Sequence, residues 1–229
     1  IADKANDGTQ TDSLPKLQAL VDGLNTAASV LGDFAEANRS GLLNAPAGTA
    51  PDLAAYSAAG VTGVSDGATG NLAAINDALA SAAVTGDKAD SPAELQAIVD
   101  AYTAILAEAN DTAGTPGDGT PDATPAVDPS AALYATIGAE IGDAATRPET
   151  LALLNDIVGA QQTAGVDSIA EINALARIAN AIQTVAADGT PATPLTVADL
   201  SAIGLDASRV TPDILPAVLV ALAAQPDDG

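Results

Sequence analysis

The sequence predicts an all-α protein of three tandem helical-bundle repeats, each a long helix, a loop, a short helix and a further helix, set in an elongated array. Three observations predict it. The helix start "SLPKLQALVD" at 13–22 recurs as "SPAELQAIVD" at 91–100 and "SIAEINALAR" at 168–177, at offsets of 78 and 77 residues. Apolar residues follow each start at helical spacing. Hydrophobic residues make up 48% of the 229-residue chain, but aromatics only 2%, so small and branched aliphatics must build a core of closely packed helices rather than a deep pocket. The implied borders give residues 1–12 as the end of a preceding unit or a linker, 13–90 as the first repeat, 91–167 as the second and 168–229 as the third.

The first long helix opens at Ser13, a plausible cap, although Lys16 stands where a capping box needs Glu. Leu17, Leu20, Val21, Leu24, Leu31 and Phe34 then fall close to one face. The stretch at 38–51, rich in Gly, Pro and small polar residues, reads as a loop. "DLAAYSAAGVTGV" at 52–64 reads as a short helix ending near Gly60, where glycine can take the left-handed conformation of a helix end. "NLAAINDALASA" at 71–82 supplies the third helix, and 84–90 a link.

In the second copy Ser91-Pro92-Ala93-Glu94 is a capping box with Pro at the first helical position. Leu95, Ile98, Val99 and Tyr102 form its apolar face. A Gly/Thr/Pro/Asp loop at 110–129 precedes a short helix ending near Gly138. Thr146-Arg147-Pro148-Glu149 reads as another capping box, opening a helix over 148–162. The link at 163–167 leads to the third copy, where Ser168 and Glu171 repeat the box. There Ile172, Leu175, Ile178, Ile182 and Val185 make the stripe, 188–195 the loop, and Gly204 the end of the short helix. Thr211-Pro212 reads as the start of the last helix, over 212–225, with Pro216 in or near its first turn.

Composition excludes whole function classes. Thirty acidic against seven basic residues give a formal charge of −23, which repels nucleic acid and anionic membranes, since phosphate binding needs Lys and Arg to displace counterions. Cys, His, Met and Trp are absent, which removes zinc, haem and copper sites of the usual types and the His or Cys that an enzyme of this size usually keeps for acid–base or nucleophilic work. The apolar run at 214–224 is too short to span a bilayer, so membrane insertion is not expected. No signal peptide is visible, and the opening "IADKANDGTQTDS", without Met, reads as the tail of an earlier unit in a fragment or processed chain.

The candidate sites each have a plainer structural reading. Glu108, Glu140 and Glu171 could be paired acids, but share no motif. "GVTGVSDGATGN" at 60–71 lacks the strand and Lys of a phosphate loop and reads as a turn between helices. Asn76-Asp77 and Asn155-Asp156, at matching places, read as cap or inter-helix hydrogen bonds, or as a docking surface. Tyr56 and Tyr134, 78 apart, read as core residues with the hydroxyl at the surface, or as exposed adhesive aromatics. No catalytic residue and no required cofactor is expected. Calcium is the one metal to carry, on oxygen-rich loops: Asp3, Asn6, Asp7 and Asp12 in the first, Asp118 and Asp122 in the second, against the alternative of merely solvated acids.

The capped "ELQAIVD", with "DLAAYSAAGVTGV" and "NLAAINDAL", resembles the GA-like three-helix repeats of large bacterial surface proteins and adhesins. The resemblance covers nearly the whole chain and is closest at 52–79. It implies exposure at the bacterial cell surface and a role in extension, adhesion or matrix formation. The namesake module binds albumin, but the likeness supplies no residues for transferring that property. The reading that follows is an extracellular spacer or presentation segment without catalysis, whose partners are neighbouring repeats or copies of itself. Two alternatives stand beside it: a filament or surface-layer subunit joined end to end, and a helical module that binds a host protein or glycan.

Overall fold

The structure, a computed structural model, describes residues 8–9, 11–38, 49–109, 128–187, 189–206 and 208–225. Among these residues it is all-helical, with nine α-helices and no strand. They are α1 (Leu14–Asn38), α2 (Leu53–Ala58), α3 (Leu72–Leu79), α4 (Pro92–Ala109), α5 (Ala131–Thr136), α6 (Pro148–Gly159), α7 (Ile169–Ala186), α8 (Val197–Ala202) and α9 (Leu215–Ala223). Long, short and intermediate helices thus alternate three times. Most of the first two expected loops, at 39–48 and 110–127, lies outside the described residues, whereas 189–195 of the third is described and carries no helix.

The helix starts obey the capping rule where the local sequence permits it. Ser168 Oγ accepts from the Glu171 N–H, and the Glu171 carboxylate accepts from the Ser168 N–H at 3.1 Å. Ser91 and Glu94 exchange the same two bonds. Thr196 and Asp199 form a third box, ahead of α8. These reciprocal bonds satisfy amide donors that the first turn leaves free.

Each short helix ends at a glycine with positive φ: Gly60 at 75°, Gly138 at 81° and Gly204 at 91°. The residue after the glycine then donates its N–H back to the carbonyl five residues before itself: Val61 to Tyr56 at 3.0 Å, Ala139 to Tyr134 at 2.9 Å and Leu205 to Leu200 at 3.1 Å. That closure is the Schellman end of a helix, and the left-handed backbone it needs favours glycine.

Three expectations need correction. Thr146 does not cap α6; a 3-10 helix at Gly142–Ala145 runs up to it, its hydroxyl donates to the Asp143 carbonyl, and Arg147 takes the cap position with its guanidinium paired to Glu149 at 2.7 Å. Thr211-Pro212 does not open the last helix directly. The Thr211 carbonyl accepts from the Ile214 and Leu215 amides in a preceding turn, so α9 begins at Leu215, with Pro216 tolerated in its first turn. The links are not bare loops either, since 3-10 turns occupy Gly86–Lys88 and Thr163–Gly165.

Contacts divide the chain into two compact units, Ile1–Tyr102 with Thr136–Gly138, and Thr103–Ala135 with Ala139–Gly229. The border lies inside α4, where the sequence places two borders, at 90/91 and 167/168. In the first unit α1 packs against α2, α3 and the 3-10 turn at Gly86–Lys88. Leu31, Phe34, Tyr56, Ile75 and Leu79 are buried there. In the second unit α7 packs against α6, α8 and α9, and Leu154, Val158, Ile172, Leu175 and Ile178 are buried.

Candidate functional site

The most distinctive side-chain constellation occurs twice. The Tyr56 hydroxyl donates to Asn76 Oδ1 at 2.7 Å, and Asn76 Nδ2 donates to the Pro51 carbonyl at 2.8 Å. The Tyr134 hydroxyl donates to Asn155 Oδ1 at 2.9 Å, and Asn155 Nδ2 donates to the Pro129 carbonyl at 3.1 Å. Each bolt ties the short helix, the third helix and the residue just before the short helix's N-terminus. Both tyrosines are buried, so their hydroxyls do not reach the surface as the sequence suggested. Burial pushes both phenols well above their ordinary pKa, with Glu108 and then Asp128 adding to the rise at Tyr134. These phenols stay protonated donors, so the bolts are structural.

A second recurrent contact joins one sequence copy to the next. The Thr62 N–H, two residues past Gly60, donates to Gln96 Oε1 on α4 at 2.9 Å. The Glu140 N–H, two residues past Gly138, donates to Asn173 Oδ1 on α7 at 2.7 Å. Flanking residues Leu95, Val99, Ile172 and Ala176 are buried. Sequence reading missed this contact. Its signal was the identical "ELQ"/"KLQ" register that places Gln18, Gln96 and Asn173 at one point of each long helix.

A polar cleft of about 350 Å³ lies in the second unit, lined by Glu140, Asp143, Asn173, Arg177, Asn180 and Thr184 among others. The Arg177 guanidinium is paired with Asp199. Desolvation works against the Asp199 charge, but bonds from Thr196 and the pairing with Arg177 hold its carboxyl below the ordinary range. Asn180 Nδ2 donates to the Ile141 and Ala176 carbonyls. Arg177 Nη1 and Asn180 Oδ1 are buried without a protein partner among the described residues. The Thr184 hydroxyl donates to the Asn180 carbonyl, so it is not set beside a base. The cleft can hold water or a small polar solute.

Compared with known proteins, the chain matches no family model, no curated protein and no solved structure. The likeness to GA-like repeats therefore rests on the residues quoted for it.

The remaining candidates have local roles. Glu171 belongs to a capping box, Glu140 contributes a backbone amide to the Asn173 contact, and Glu108 is buried with its carboxylate beside Gly159. The 60–71 stretch is a turn fastened by Asn71, whose Oδ1 accepts from the Ser65 N–H and whose Nδ2 donates to the Gly63 carbonyl. Of the calcium candidates, Asp3, Asp7, Asp118 and Asp122 lie outside the described residues. Asp12 is ion-paired with Lys16 at 2.7 Å. Among the described residues no three acidic side chains converge, and no helix is long and apolar enough to cross a membrane.

Proposed function

We propose that the chain is a structural repeat segment of an extracellular bacterial surface protein or adhesin, a spacer and presentation module without catalysis. On this reading its three sequence copies are tandem helical bundles in an elongated array. The observation that carries the proposal is the threefold recurrence of one device, a short helix closed by Gly60, Gly138 or Gly204 with the same backward hydrogen bond. An enzyme concentrates unusual residues at one place, whereas this chain spends its specific contacts on reproducing a local geometry. Acidic surface, at a net charge of −23, suits a segment that must resist aggregation beside its neighbours.

Tandem fusions of one, two and three chains test it by small-angle scattering. A spacer adds a constant increment to the maximum dimension with each chain. A dimension growing only as the cube root of mass would overturn the reading. The same curves in calcium and in chelator should superimpose; a calcium-dependent change would make ligands of the Asp-rich segments.

The second reading, a subunit joined end to end, is favoured by the apolar exposure of α1 and α9.

A further inference from the structure

The copy-to-copy contact has a donor half and an acceptor half, and each half also occurs once without its partner. On α1, Gln18 stands where Gln96 stands on α4. It repeats the local bond of its counterpart, Gln18 Nε2 donating to Asp22 Oδ1 at 2.8 Å as Gln96 Nε2 donates to Asp100 Oδ1 at 2.8 Å. Gln96 Oε1 accepts from the Thr62 N–H, whereas Gln18 Oε1 has no partner among the described residues. Leu17 and Val21 flank Gln18 at 42% and 49% exposure, while their counterparts Leu95 and Val99 are buried.

The complementary half lies after α8. Gly204 is the cap glycine, and Leu205 follows it as Val61 follows Gly60; Val61 is buried and Leu205 is 46% exposed. The N–H of Asp206, two residues past the glycine, has no acceptor among the described residues. α9, which holds the place of α3 and α6, carries no charged side chain and buries no residue, with Val220 71% exposed. α9 packs against α7, the long helix of its own copy, whereas α6 has against it α7 as the long helix of the copy that follows.

Resting on the repeat reading above, we propose that a second copy of this chain occupies these faces head to tail. α1 of one molecule seats against Leu205 and α9 of the next, and the Asp206 N–H donates to Gln18 Oε1, repeating between molecules the Thr62–Gln96 and Glu140–Asn173 contacts. Two different surfaces meet, so the association is heterologous and continues as an open chain. Like charges on the copies oppose it at long range, so salt strengthens it.

Sedimentation velocity from micromolar to millimolar protein, in about 1 M salt where the screening length is about 3 Å, is the test. The wild-type mass should rise continuously with concentration. Val21→Asp blocks the head and Val220→Asp the tail; both sites are exposed, and helicity by circular dichroism checks that both variants fold. Each variant alone should stay monomeric, and their equimolar mixture should give dimers and nothing larger, because one intact head meets one intact tail. Gln18→Ala should weaken wild-type association without abolishing it. A folded wild type that stays monomeric throughout overturns the proposal and leaves these faces to a covalently joined repeat. Self-association of Val220→Asp at wild-type strength overturns it in favour of a symmetric α1–α1 contact. Either failure leaves the spacer reading to the fusion series, which does not depend on association.

Discussion

Leu17 on α1 and Ile172 on α7 hold the same register position, four residues after the opening Ser of their copies, yet only Ile172 is wholly buried. α7 has α6 packed along it, whereas the first turns of α1 are largely open to solvent, with Leu14 81% and Leu17 42% exposed. Identical patterning therefore does not fix burial; the preceding element does. Truncation should expose the difference most sharply. Ile172→Ala removes a fully packed side chain and should cost about 3–4 kcal/mol, and Leu17→Ala under about 1 kcal/mol, in urea unfolding at low protein concentration. Equal losses would mean that α1 is covered in solution by something beyond the described residues.

The cap glycines make a second pair. A Cβ on Gly138 would collide with Ser81 Oγ and crowd Val84 and Ala83, on top of a φ of 81°. A Cβ on Gly204, at φ 91°, would meet nothing within 4 Å. Gly204→Ala should therefore cost only the left-handed penalty of about 1 kcal/mol, and Gly138→Ala about 3 kcal/mol. The gap measures how closely residues 81–84 pack over that helix end. For a chain this size, 2 kcal/mol is a melting difference of roughly 4–8 °C.

The Tyr–Asn bolts contrast with the third copy, where apolar Leu200 replaces the tyrosine and packs out of solvent. Asn155→Ala strands a buried phenol and the Pro129 carbonyl, so it should cost about 2–3 kcal/mol. Tyr134→Phe with Asn155→Leu imitates the third copy and should recover most of the phenol's share, leaving the cost of one carbonyl. Chemical denaturation of the single and double variants reads both numbers.

What could be read from sequence follows the range of each interaction. The Ser91–Glu94 and Ser168–Glu171 boxes and the glycine ends are settled within a turn or two and stand as expected, whereas the α1 stripe is buried at Leu31 and Phe34 but exposed at Leu17 and Val21. Thr146–Glu149 has the same letters, but the Gly142–Ala145 turn before it takes up the threonine, which no local pattern announces. Tyr56 meets Asn76 across 20 residues and Thr62 meets Gln96 across 34. Such partners become visible only when recurrence in register singles them out, and the paired asparagines were flagged in that way. The Arg177–Asp199 pair and the cleft beside it had no repeated counterpart and so left no trace in the pattern.

The weakest contrast has opposite signs at one position. Lys16 on α1 faces Asp12 as an ion pair, while Glu171 on α7 sits beside Asp167, four residues earlier in both cases. Desolvation first, and then the Asp167 carboxylate, raise the Glu171 pKa despite the opposing bonds from Ser168. A carboxyl raised in the folded state contributes stability that is fully present below its unfolded pKa and is lost as pH rises through its folded value. Glu171→Gln keeps an acceptor for the Ser168 amide and does not titrate. It should match the wild type in acid and become more stable by a few tenths of a kcal/mol, about 0.2–0.5, at neutral pH. Lys16→Gln should instead lose a similar amount at neutral pH, by removing an attraction. Melting curves of both variants across the carboxylate range and at neutrality test the pair. A neutral-pH loss in Glu171→Gln would mean that the carboxylate's charge, attracted by the amides of the α7 N-terminus, outweighs its repulsion by Asp167.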